Sequence, residues 1–204
     1  MLTLDHLAVS TLDLKAGADA IEAVLGVPLE PGGNHAEMGT HNRLLSLGAE
    51  TYLEVIAIEP GAQAPSQPRW FDLDNFTGET RLTNWIARSG NLDAACAAAP
   101  SGIGVPWALA RGDFRWRMAV PRDGKLPFDG LFPALIEWQG AAHPAPRLPD
   151  RGVRLLRLVL HTPDTEALRA ALSGMITDGR LSIRRSAAPH LSAEFDTPNG
   201  PVRL

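Results

Sequence analysis

Residues 2–10 read LTLDHLAVS and residues 13–25 read DLKAGADAIEAVL. The first stretch is apolar and β-tolerant, and the second sets Leu14, Ala18, Ile21 and Leu25 at helical spacing, so the pair predicts a strand leading into an amphipathic helix. Gly26 ends that helix, because glycine takes the left-handed conformation at little cost and Pro28 just beyond it cannot continue the turn. Two or three further strands follow within 36–58, with HNRLLSLG and TYLEVIAI divided at Gly48-Ala49. The order is β-α-β-β-β.

The same order then recurs. RLTNWIARS at 81–89 reads as a strand, and NLDAACAAA at 91–99 as a helix capped by Asn91 and ended near Pro100. After a turn-rich connection, DFRWRMAV (113–120) and LFPALIEWQ (131–139) supply two more strands. Superposing the copies sets His6 over Asn84 and Glu54 over Glu137. From residue 152 the pattern starts a third time, with GVRLLRLVLH, a helix carrying Leu168 and Leu172, and the weaker strands RLSIRRS and HLSAEFDT. The expected fold is α+β: paired βαβββ modules (1–58 and 81–139, within 1–145) and a truncated third β-α-β-β module (152–204). That third module offers a surface for packing on the pair or for a homodimer. Segment 59–80, rich in Pro and Gly with Trp70, Phe71 and Phe76, is a crossover able to cover a cavity.

Composition narrows the function. At 204 residues the chain suits about one to two domains of ~150 residues. An apolar fraction of 45 % with 21 % charged residues describes a soluble globular protein, and 19 Gly with 17 Pro favour short elements joined by turns. The balance of 19 basic and 23 acidic side chains, with a pI near 5.8, argues against nucleic acid and anionic membranes as partners. A single cysteine, Cys96, allows no internal disulfide. With no basic leader and no apolar run of about 20 residues, the expected compartment is the cytoplasm. No glycine-rich phosphate loop, serine elbow or calcium-loop register is present.

Glu54 and Glu137 are the leading chemical candidates. Each lies inside an apolar strand, where a carboxylate needs a metal, a basic partner, hydrogen bonds or water; the bland alternative is a sheet-edge glutamate facing solvent or an arginine. His6, among Leu4, Leu7, Ala8 and Val9, can offer one ring nitrogen to an ion while the other is held by a carbonyl or carboxylate. The expectation is that both glutamates point into one polar hollow. Asn42, Trp107, Arg115, Arg117 and His143 are candidates for substrate binding: Arg115 and Arg117 share a strand face suited to a carboxylate, Trp107 sits where it can overhang a groove, and His143 follows the second glutamate strand. His35 and His41 read as ordinary loop or edge residues.

The chain resembles the vicinal oxygen chelate superfamily, and within it the glyoxalase-like domain proteins. The likeness rests on LDHLAVST, AVLGVPL, GTHNRLLSLG with TYLEVIA, and FRWRMAVPRDGKLPFDGLFPALIEW followed by HP, which together span residues 1 to about 145. It implies two curved modules forming an open cup, with a divalent metal (Zn, Ni, Mn, Fe or Mg) held by His6, Glu54, Asn84 and Glu137. Asn84 stands where His or Gln is usual. The implied activity is that of a metal-dependent lyase or isomerase acting on a small oxygenated compound through an enediolate-like anion, with Glu54 or Glu137 moving the proton. Ring-cleaving oxygenation suits the single histidine less well. The alternative is a non-catalytic protein that binds or sequesters a small molecule in the same cup.

Overall fold

The computed structural model describes residues 1–204. Its first module comprises strand β1 (Thr3–Ser10), helix α1 (Leu14–Leu25) and strands β2 (Glu30–His35), β3 (Thr40–Ser46) and β4 (Tyr52–Ile58). The second repeats that order with β5 (Arg81–Arg88), α2 (Leu92–Ala98), β6 (Val105–Arg111), β7 (Phe114–Val120) and β8 (Ala134–Trp138). Strand β6 replaces the turn-rich connection expected there. Pro106 lies within it and is tolerated because β6 is an edge strand, where a missing N–H need not break a ladder.

These eight strands form one sheet in the order β2-β3-β4-β1-β5-β8-β7-β6. Within each module the first strand runs parallel to the last, and the modules join where β1 meets β5 antiparallel. The sheet curls until its two edges approach. A Cβ on Gly33 of β2 would fall 2.8 Å from the Arg111 Cδ of β6, so glycine is what lets the arginine stem cross.

The helices form where the sequence supplies both a cap and an apolar stripe. Asp13 accepts the Ala16 N–H at 2.7 Å at the start of α1, and Gly26 closes its end at φ 71°. Gly17, Ala18, Ile21 and Leu25 form the buried stripe. Asn91 and Asp164 cap α2 and α3 in the same way.

The third module has β9 (Arg154–Thr162), α3 (Thr165–Leu172), β10 (Leu181–Arg185), β11 (His190–Asp196) and the two-residue β12 (Val202–Arg203). Its separate sheet has the order β10-β9-β11-β12, one short strand more than the truncated copy expected. Leu158, Leu160, Leu168 and Phe195 join the same apolar core as Leu7, Ile21 and Trp85, so the third module is packed on the pair. The architecture is α+β. No helix is long and apolar enough to cross a membrane.

One connection shapes the interior. Arg69 donates from Nε to the Met38 carbonyl at 2.9 Å and pairs with Asp74 at 2.5 Å, anchoring a short irregular segment over Trp70–Asn75. Phe71 (φ 60°) and Asp72 (φ 54°) are both left-handed, a conformation that costs roughly 1–2 kcal/mol per non-glycine residue. The segment sets the buried rings of Trp70 and Phe71 against the interior.

Candidate active site

The site begins with an irregularity in β1. The register against β5 slips between Leu4 and His6, so Asp5 is the extra residue of a bulge. Neighbouring side chains of a regular strand diverge to opposite faces; here Asp5 Oδ1 lies 2.6 Å from its neighbour's ring nitrogen, His6 Nδ1. The other Asp5 oxygen accepts Trp138 Nε1–H at 3.0 Å and lies 3.0 Å from His143 Nε2. Asp5 is fully buried and fully engaged.

His6 turns its other nitrogen, Nε2, toward Glu54 Oε1 at 3.5 Å, while its ring stacks on Tyr52 at 4.3 Å between centroids. Glu54 Oε2 accepts Asn42 Nδ2–H at 2.8 Å. Across the seam of the curled sheet, Arg111 Nη1 donates to Asn42 Oδ1 at 3.0 Å and to His35 Nε2 at 3.2 Å. An arginine can only donate, so His35 Nε2 must accept; its proton sits on Nδ1, facing Thr40 Oγ1 at 3.0 Å. These groups surround a hollow of about 30 Å³, room for about one or two waters, walled by Trp70, Phe71, Trp116 and Trp138.

The charges follow from this geometry. Burial alone would push the His6 imidazole down, but the Asp5 and Glu54 carboxylates outweigh it and raise it to about 9. Burial works to raise Asp5 and Glu54, yet His143 and His6 hold Asp5, and His6 and Asn42 hold Glu54, below the usual carboxylate range. His35 goes the other way: burial, reinforced by the Arg111 charge, lowers it to about 4. At neutral pH the site therefore carries Asp5⁻, His6⁺, Glu54⁻ and Arg111⁺ in alternation beside a neutral His35. Burying charge is costly unless it is satisfied: Asp5, His6 and Glu54 lie against one another, while the partly buried Arg111 donates to the neutral Asn42 and His35.

Of the residues singled out from sequence, His6, Glu54 and Asn42 meet in the hollow, and His143 reaches it through Asp5. Glu137 does not. Ile136 and Trp138 face the hollow, and alternation sends Glu137 to the other side of the sheet, where it pairs with Arg117 at 3.1 Å. Arg117 also grips Asp93 of α2 at 2.7 Å, and Arg115 is exposed and bonded to the Gly112 and Phe114 carbonyls. The expected anion-binding arginine face is therefore outward, with Trp116 inward. Trp107 packs partly buried against the core and is absent from the hollow's lining. Asn84 lines a different and larger cavity. Asp5, His35 and Arg111 complete the site without having stood out in the sequence, although the buried Asp-His pair in an apolar strand was a signal for the first.

The donor set for a divalent ion is not assembled. Only His6 and Glu54 of the four expected ligands meet, and His6 has a carboxylate against each ring nitrogen. No group of three or more His, Cys, Asp or Glu side chains is arranged around one point. The residues present do not fit the metal centre implied by the resemblance; Arg111 and His6 bring the positive charge instead.

The family model of the glyoxalase-like domain matches residues 4–176. No curated protein sequence matches the chain. Among solved structures, a hypothetical protein from Staphylococcus aureus aligns with a TM-score of 0.66 at 12 % identity, covering 93 % of this chain and 88 % of its own. Methylmalonyl-CoA epimerase from Mycobacterium tuberculosis aligns at 18 % identity over 68 % of this chain and 88 % of its own, with a TM-score of 0.44. A hypothetical protein from Bacillus halodurans C-125 gives 13 %, 70 %, 97 % and 0.45 for the same quantities. At these identities the likeness concerns the fold alone. The match through residues 4–176, on a sheet built from two βαβββ modules, makes this chain a member of the glyoxalase-like domain family of the vicinal oxygen chelate superfamily.

Proposed function

We propose that the chain is a lyase or isomerase that removes a proton from carbon beside a carbonyl or carboxylate in a small oxygenated compound, with Glu54 as the base. The observation that carries this reading is the placement of an ionised, buried Glu54 between His6 Nε2 and Asn42 Nδ2, on the wall of a hollow that Arg111 enters from the opposite sheet edge. Glu54 accepts the proton, and the C–H electron pair moves onto the neighbouring oxygen as an enediolate-like anion. Arg111 and the His6 imidazolium stabilise that developing charge in a site from which water is largely excluded. Return of the proton to the adjacent carbon or the opposite face is isomerisation; expulsion of a β-substituent is lysis. The tryptophan walls favour a substrate with an apolar or aromatic body, and its entry requires Trp70 and Phe71 to give way.

A second reading has one observation in its favour. Glu54 is held below the ordinary carboxylate range, which makes it a weak base, and a protein that only binds an oxygenated small molecule needs no stronger one.

Deuterium incorporation separates the two. Hydroxyacetone, 2-hydroxyacetophenone and mandelate, incubated with the protein in D₂O and followed by proton NMR, should lose their α-proton signal in at least one case, with and without a chelator. Glu54→Gln should slow that loss by about 10²-fold or more while leaving binding detectable. Binding without exchange would establish the sequestration reading, and exchange abolished by the chelator would overturn the assignment of the positive charge to Arg111 and His6.

A further inference from the structure

Arg111 carries a charge that nothing in the fold pairs. Its Nη1 donates inward to Asn42 Oδ1 at 3.0 Å and to His35 Nε2 at 3.2 Å, both neutral groups, and no carboxylate lies against the half-buried guanidinium. An arginine withdrawn from water ordinarily has an anion beside it. Its Nε–H and Nη2–H make no hydrogen bond, and both atoms keep accessible surface.

The edge formed by those two bonds is the side of a guanidinium that matches a carboxylate, with parallel N–H groups aimed at its two oxygens. On the outer side of the sheet seam, Arg111 borders a groove of about 340 Å³ between β2, the β6–β7 turn and residues 144–148. That volume suits a small molecule. Gly33 is on the groove wall, and a Cβ there would lie 3.3 Å from Arg111 Nε, so glycine leaves the edge uncovered. Asp113 is the one acidic side chain in the lining, and Arg147 holds it through two bonds of 2.8 and 2.5 Å. The groove therefore retains the single positive charge of Arg111, with Leu44, Phe114, Pro144 and Leu148 as apolar walls.

We infer that this groove is a second binding site, for a small monocarboxylate with a compact apolar body, whose two oxygens accept from Arg111 Nε and Nη2. A carboxylate there supplies the counter-charge that the seam lacks, while Nη1 keeps its inward bonds to His35 and Asn42. A carboxamide of the same shape has one oxygen to accept with and sets its own N–H donors against the guanidinium, so the site distinguishes the two. The inference concerns the outward edge of Arg111 and needs no proton transfer at Glu54, so this binding and the deuterium exchange can fail independently.

Benzoate and benzamide, equal in shape, test this when titrated into the full chain, with NMR following the backbone amides and the Arg111 Nε–H group. Benzoate should move the Arg111 Nε–H signal and the amides of Gly112, Phe114 and Leu148 at millimolar concentration, with benzamide weaker by about tenfold or more. Arg111→Lys, which retains the charge but not the paired N–H groups, should weaken benzoate by about fivefold or more. Asp113→Asn, at an exposed position away from the hollow, frees Arg147 and should tighten benzoate by about twofold or more while leaving benzamide unchanged. The inference is overturned if benzoate moves none of these signals, if it binds no tighter than benzamide, if neither variant changes its affinity, or if the shifts fall only on Tyr52 and Trp138 in the His6–Glu54 hollow.

Discussion

His6 has a carboxylate on each ring nitrogen, and its charge state therefore sets part of the fold's response to pH. Its folded value of about 9 lies above the ordinary 6.5, so the stability it contributes is complete below about pH 6.5 and is lost as the pH rises through 9. His35, lowered to about 4, contributes in the opposite sense: its share is complete above pH 6.5 and is lost as the pH falls through 4. Asp5 and Glu54, both held below the ordinary range, add to the loss on the acid side. Thermal unfolding followed from pH 4 to pH 10 should show its highest midpoint near pH 6.5. His6→Gln should flatten the alkaline limb and His35→Gln the acid limb, each by several degrees, given roughly 2–4 °C per kcal/mol for a chain of this size. Profiles parallel to wild type in both variants would contradict the assigned charge states. His6, Glu54 and Asn42 were legible in the sequence because a polar residue inside an apolar strand needs a partner. Glu137 met the same criterion for a different reason: alternation separates the two faces of β8 but does not say which is interior, and α2 covers the face that carries the ion pair with Arg117.

At the scale of elements, α1 docks through a close approach that permits no side chain. A Cβ on Gly17 would lie 2.5 Å from the Thr11 side chain, which is itself buried and hydrogen-bonded to Thr80. Alanine is the better helix former by about 1 kcal/mol, while overpacking costs about 1–3 kcal/mol, so the clash should prevail. Gly17→Ala should lower the stability measured by denaturant titration by about 1 kcal/mol or more; an increase would mean that α1 can shift away from β1 freely. The three helices were readable from partial signals: an apolar stripe and the Gly26 stop for α1, the Asn91 cap and Pro100 for α2, and the Leu168–Leu172 face for α3. Strand β6 was not, because Pro106 and the flanking glycines mimic a loop, and only its place at the sheet edge makes the proline harmless. The Asp5 bulge was equally silent, since register is a property of two strands and not of one.

For the whole molecule, Arg111 closes the curled sheet. It reaches from the outermost strand of the second module to His35 and Asn42 of the first, a contact between residues 76 and 69 positions apart that no local pattern announces. Arg111→Met should leave His35 Nε2 without its donor and Asn42 Oδ1 with only the Gly33 N–H. Amide exchange in β2 and β6 should then quicken while β1 and β5, central in the sheet, keep their protection. Equal acceleration throughout would show a global loss of stability and not an opened seam. The paired modules themselves were plain from the repeated order of signals, whereas the orientation of their strands around a common interior emerged only once the sheet had curled. The most direct measurement compares Glu54→Gln with Glu137→Gln in the same deuterium-exchange assay at neutral pH. The site described here requires a loss of about 10²-fold or more for the first and near wild-type exchange for the second. Equal losses, or a loss confined to Glu137→Gln, would place the chemistry elsewhere.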